Sequence, residues 1–164
     1  MLISLFFKTP APANIKSKTK ILKTVAEETL KSIRSKNLET SIIFVNNAEI
    51  KKINKKFLKR TYATDVIAFN YIQPNSHQTH SRVGDLAKSQ TPIRESEPIP
   101  FGDVFVCMDQ AKKQADLLKH SLIQELAILT VHGCLHLKGM EDGTKAEKTE
   151  MDKKTELYIK KYFP

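Results

Sequence analysis

"VHGCLHLKGMEDG", Val131 to Gly143, sets two histidines four residues apart and then reaches a glycine. Four residues advance an α-helix by about 400°, so the imidazoles of His132 and His136 leave one face, one turn apart. The run containing them, "SLIQELAILTVHGCLHLK", opens at Ser121 with Gln124 three positions on, a capping-box pair. It closes at Gly139, the residue type that supplies a left-handed turn just past a helix end. A helix that stops at Gly139 reverses the chain and brings the next few side chains beside the two imidazoles. Asp142 is then the natural third ligand of a metal ion, with Glu141 the runner-up.

His132, His136 and Asp142 stand at offsets 0, 4 and 10, the ligand spacing of the metzincin pattern, with the turn glycine also in register. An aspartate oxygen can complete a zinc shell that keeps one position open. The zinc peptidases, however, carry a glutamate after the first histidine to take a proton from the attacking water. Here that position is Gly133, so peptidase chemistry lacks its general base. Cys134 projects about 200° round the helix from His132 and belongs to the core.

Four short apolar runs bounded by polar or turn residues predict strands: "LISLFF" (2–7), "SIIFV" (41–45), "DVIAFNYI" (65–72) and "DVFVCM" (103–108). The first reads as an edge or early strand. Helical spacing of Ile21, Val25, Leu30 and Ile33 predicts a helix within residues 15–37, its other side rich in lysine. A second starts at Asn46 with Glu49 as its box partner; further helices follow over 108–120, from Ser121, and from Thr144 with Glu147 to about Lys161. His120 ends one of these helices just before the next begins. Residues 73–100 hold four of the seven prolines, His77 and His80, and no sustained period, which predicts a long loop.

A chain of 164 residues with 40% hydrophobic content is the size of one domain, spanning 1–164. The apolar start is too short to span a bilayer, and neither a membrane partner nor a leader is expected. Cys107 and Cys134 call for no oxidising compartment, so the cytoplasm is the expected location. The net charge of +9 is unevenly placed: residues 1–60 carry a balance of +10 and residues 61–164 one of −1. Such asymmetry favours a polyanionic partner, nucleic acid first.

"ELAILTVHGCLHLKGMEDG" resembles the signature of the YbeY family of metal-dependent endoribonucleases of ribosomal RNA maturation, H-G-x-L-H-L-x-G-Y-D-H. The matches are His132, Gly133, Leu135, His136, Leu137 and Gly139. "NKKFLKRTYATDVIAFNY" (54–71) is similar to the family's N-x-x-x-R-x-x-D-x-x-T-D-V-L-S-F segment, and "GDVFVC" (102–107) to its G-D-I-x-I strand. The likeness runs over roughly residues 38–156. It implies an α+β fold, a small mixed four-stranded sheet flanked by helices, with the metal in a cleft beside the two-histidine helix. It also implies one zinc ion, and ribosomal RNA and the ribosomal subunit as partners.

Three departures stand out. The family's third histidine falls on Asp142, giving two nitrogens and one carboxylate oxygen. The family arginine that meets phosphate falls on Leu58, with Lys59 and Arg60 adjacent as candidates to take its place. The Pro-rich loop is longer than the family's, and its His77 or His80 is an alternative to Asp142 at the metal. The leading expectation is cleavage of single-stranded RNA, with Lys59 or Arg60 offsetting charge on the phosphoryl oxygens. The alternative is a metal-binding, ribosome-associated factor without catalysis. Asp65 is read as a brace of either the site or its strand.

Overall fold

The four apolar runs form one mixed sheet: β1 (Leu2–Phe7), β2 (Leu38–Val45), β3 (Val66–Asn70) and β4 (Ile99–Cys107), ordered β1-β2-β4-β3. The computed structural model describes residues 1–33, 37–72 and 98–164. β1, β2 and β4 are parallel, and β3 pairs antiparallel with β4 at one edge. Parallel neighbours need a crossover, which packs a helix on the sheet. The helices are α1 (Ala13–Lys16), α2 (Thr19–Leu30), α3 (Asn47–Leu58), α4 (Met108–Leu118), α5 (Leu122–Leu137) and α6 (Lys145–Ile159).

The expected helix within 15–37 is two helices, because Lys18 (φ −107°, ψ 11°) departs from helical geometry between them. The loop expected over 73–100 ends sooner, since Ile99 and Pro100 already pair with Leu38 and Glu39 of β2. His77 and His80 lie outside the described residues. The cap signals act as expected: the side chains of Asn46, Ser121 and Thr144 accept from the backbone N–H of Glu49, Gln124 and Glu147.

Strand alternation divides the core in two. Ile42 and Phe44 of β2, Val104 and Val106 of β4, and Val66 and Ala68 of β3 face α2, α5 and α6. Their neighbours Ile43, Val45, Phe105, Cys107, Ile67 and Phe69 face Ile50, Ile53 and Phe57 of α3. α5 is the central helix, packed on β3 and β4 and flanked by α2, α4 and α6. It is buried on several sides, from Ile123 and Leu126 through Leu129 and Val131 to Cys134 and Leu137, and so shows no single apolar stripe.

α5 sits close to the sheet because glycine occupies both contact points. A Cβ at Gly133 would lie 2.3 Å from Val104 Cγ1 and 3.1 Å from Val66 Cγ2. A Cβ at Gly102 of β4 would lie 2.5 Å from the Phe69 carbonyl oxygen and 2.7 Å from Leu137 Cδ2. Alanine inside a helix ordinarily gains about 1 kcal/mol over glycine. At position 133 the sign reverses: Gly133→Ala is expected to lose about 1–3 kcal/mol by overpacking in urea denaturation. Combining it with Val104→Ala should recover part of that loss as coupling in a double-mutant cycle. A Gly133→Ala protein more stable than the parent would refute the close approach.

Candidate metal centre

α5 ends in a complete Schellman turn. The N–H of Gly139 donates to the His136 carbonyl (2.9 Å), the N–H of Met140 donates to the Leu135 carbonyl (3.1 Å), and Gly139 has φ 83°. An L side chain at that φ is strained, hence the glycine. Asn70 of β3 anchors the same helix end, its Nδ2 donating to the Leu137 carbonyl at 2.6 Å. The turn directs the following residues back along the helix, as the sequence predicts.

The returning strand of chain brings Asp142 Oδ2 to 3.6 Å from His132 Nε2 and 3.8 Å from His136 Nε2. One ligand atom from each residue lies within 4.8 Å of the others. Ligand atoms at about 2.05 Å from a tetrahedral zinc ion stand roughly 3.3 Å apart, so Asp142 is already near its distance from each imidazole, while the widest separation in the group would have to close by up to about 1.5 Å. The donor chemistry, two imidazole nitrogens and one carboxylate oxygen, also suits that ion. The side chains of His132 and His136 are 17% and 25% exposed and that of Asp142 43%, so the centre is walled on one side and open on the other.

The tautomer of His136 is set by the turn. His136 Nδ1 lies 2.9 Å from the Met140 carbonyl oxygen, an acceptor that requires Nδ1–H and leaves the Nε2 lone pair for a cation. Sequence reasoning missed this carbonyl, as it missed Asn70; a backbone acceptor and a distant strand residue leave no local pattern.

His132 is held below its ordinary pKa, first by burial and then by the His136 imidazole, against the opposing pull of Asp142 and Asp65. Asp65 braces the start of β3: Oδ1 accepts from its neighbour's Val66 N–H (2.8 Å), and Oδ2 accepts from Gln114 Nε2 of α4 (2.9 Å). Its charge is nonetheless felt at His132. Cys134 is fully buried and its thiol is pushed up to about 12. His120 Nε2 approaches Glu125 Oε2 to 3.0 Å across the α4–α5 corner without hydrogen-bond geometry, and burial pushes the Glu125 carboxyl up. Glu141 is exposed and stands apart from the three-ligand group.

Lys59 and Arg60 are exposed at the end of α3, where Lys59 takes a left-handed conformation (φ 58°). Among the described residues neither side chain forms a hydrogen bond or ion pair, with the three ligands or with any other group.

A two-histidine helix, a glycine return and a carboxylate on an α+β scaffold define a candidate metal-dependent hydrolase. The family model described as Endoribonuclease YbeY matches residues 8–163. A protein of Elusimicrobium minutum named Endoribonuclease YbeY is 39% identical over 161 residues, covering 98% of this chain and 99% of that protein. One of the same name from Bacillus licheniformis is 36% identical over 124 residues, covering 76% and 72%. The solution structure of TM1509 from Thermotoga maritima superposes with a TM-score of 0.56 at 21% identity, covering 97% and 87%, and shares the fold. The chain belongs to the YbeY family of endoribonucleases.

Two outcomes are expected. In metal-free protein, an NMR titration should place His132 below 6.5. Because the unfolded chain then takes up the proton first, stability should fall as pH drops below 6.5, and the loss should level off below the folded value. Gly139→Ala should cost about 1–2 kcal/mol in backbone strain. It should also weaken metal binding about 10–100-fold in calorimetry, because the Met140 acceptor moves. Unchanged affinity would separate the turn from the site.

Proposed function

We propose that this endoribonuclease is metal-dependent and cleaves single-stranded RNA in ribosomal RNA maturation, acting at the ribosomal subunit in the cytoplasm. Residues 1–164 would serve as one domain. The observation that carries the reading is the convergence of His132 Nε2, His136 Nε2 and Asp142 Oδ2 on one point at the open end of α5. These three would hold one Zn²⁺. When bound, the ion supplies Lewis-acid polarisation of the scissile phosphate and lowers the pKa of attacking water.

The chain's own residues supply the rest. The Met140 carbonyl holds the His136 proton on Nδ1. Burial keeps His132 neutral, with its lone pair available. Lys59 or Arg60, exposed and unpaired among the described residues, would meet the phosphoryl oxygens as charge builds there. The +10 balance of residues 1–60 would hold the RNA backbone, and binding would weaken steeply with salt. No helix among the described residues is long and apolar enough to cross a membrane.

Purified protein incubated with single-stranded ribosomal RNA fragments should cleave them, and a chelator should stop the reaction. His136→Ala and Asp142→Ala should each lower the rate at least about 100-fold while elemental analysis shows loss of the bound metal. Cleavage indifferent to chelator and to His136→Ala would overturn the metal assignment.

A further inference from the structure

Beside the three-ligand centre, a cleft of about 460 Å³ opens between α5 and α6, and His132 forms part of its wall. That volume is in the range of about 300–1,000 Å³ that small-molecule sites occupy. Its apolar sides are Ile128 of α5, Ile159 of α6 and Phe163 beyond α6. Asp152 and Glu156, one turn apart on α6 and both exposed, stand at its rim. Thr155 between them is buried, and its hydroxyl has no hydrogen-bond partner among the described residues.

We propose that this cleft receives the unstacked base of the nucleotide next to the cleaved phosphate, and favours a base with an exocyclic amino group over uracil. The proposal rests on the RNA-cleaving reading above. His132 contributes Nε2 to the ligand set and also lines the cleft, so a single imidazole separates the phosphate position from the base position. Single-stranded RNA is read by splaying bases out of the stack onto aromatic and apolar surfaces, which Ile128, Ile159 and Phe163 provide. Two carboxylates repel a phosphate but accept hydrogen bonds from amino groups, as acidic side chains do from cytosine N4. The rim therefore admits the neutral base and turns the anionic backbone toward the cation. Lys160 on the same cleft is the one basic side chain among these rim groups and is placed to meet a sugar or phosphate oxygen. An orphan buried hydroxyl such as that of Thr155 is also the kind of group a ligand or its water satisfies.

The test follows the isoleucine methyl resonances of zinc-loaded protein while AMP, CMP, GMP and UMP are added separately. AMP, CMP and GMP should shift Ile128 and Ile159, and UMP should bind about tenfold more weakly. Asp152→Asn combined with Glu156→Gln, at exposed positions that leave the core intact, should erase that preference. Phe163→Ala should weaken all four nucleotides. Asp142→Ala protein, damaged in the proposed metal set, should keep the methyl shifts, so failure of the metal reading and failure of the base cleft give different results. Unshifted Ile128 and Ile159 methyls, or equal affinity for all four nucleotides, would overturn the proposal.

Discussion

The close seat of α5 on the sheet governs the rest of the structure. With Gly133 pointing at Val104, the helix has one rotational setting, and every other side chain on it takes its place by about 100° steps. His132 lies about 100° to one side of the contact. His136, three residues on from Gly133 and about 300° round, lies about 60° to that same side. Both histidines are therefore placed on the flank of the helix, mostly covered but still reached by solvent. Cys134 is rotated about 100° the other way, into the core, where its thiol is fully desolvated. One missing side chain thus decides which flank carries chemistry and which carries packing.

The same contact gives the absence of a peptidase glutamate a physical cause. Residue 133 faces the sheet, where even one added carbon would collide with Val104, so a carboxylate there could not reach a substrate on the histidine flank. Read from spacing alone, Gly133 is merely a departure from the peptidase pattern. In the folded chain it is a packing requirement, and the cleavage chemistry must obtain its electrostatic help from another direction.

Much of this was legible in the sequence because it depends on local signals. Asn46, Ser121 and Thr144 announce helix starts through short side-chain bonds, and Gly139 announces a stop through its φ. The four strands are visible as short apolar runs, and the grouping of His132, His136 and Asp142 follows from helix geometry plus a reversal. The strand order was not legible, because pairing of β2 with β4 joins residues about sixty positions apart and leaves no periodic trace in either. The break at Lys18 was hidden because residues 16–20, KSKTK, hold neither a glycine or proline to mark a stop nor an apolar residue to show a change of phase. Lys59 in a left-handed conformation was hidden too, since that position ordinarily calls for glycine or asparagine.

Helix termination and side-chain orientation at the three-residue group are one construction here. The bonds that satisfy the last carbonyls of α5 also fix where the Met140 carbonyl points, and that carbonyl holds the proton of His136. Burial separately disfavours the charged form of His132, which leaves a neutral ring with a free lone pair. Asp142 brings a negative charge to the two rings, and Asp65 adds a second negative field at His132. Two imidazole nitrogens, one of them held toward its neutral form by burial, beside a carboxylate oxygen form a donor set that suits a cation. A histidine in place of Asp142 would leave the loaded site one unit more positive. On the function proposed above, the further positive charge that a phosphoryl group needs would then come from outside the ligand set, from the exposed Lys59 and Arg60 at the end of α3.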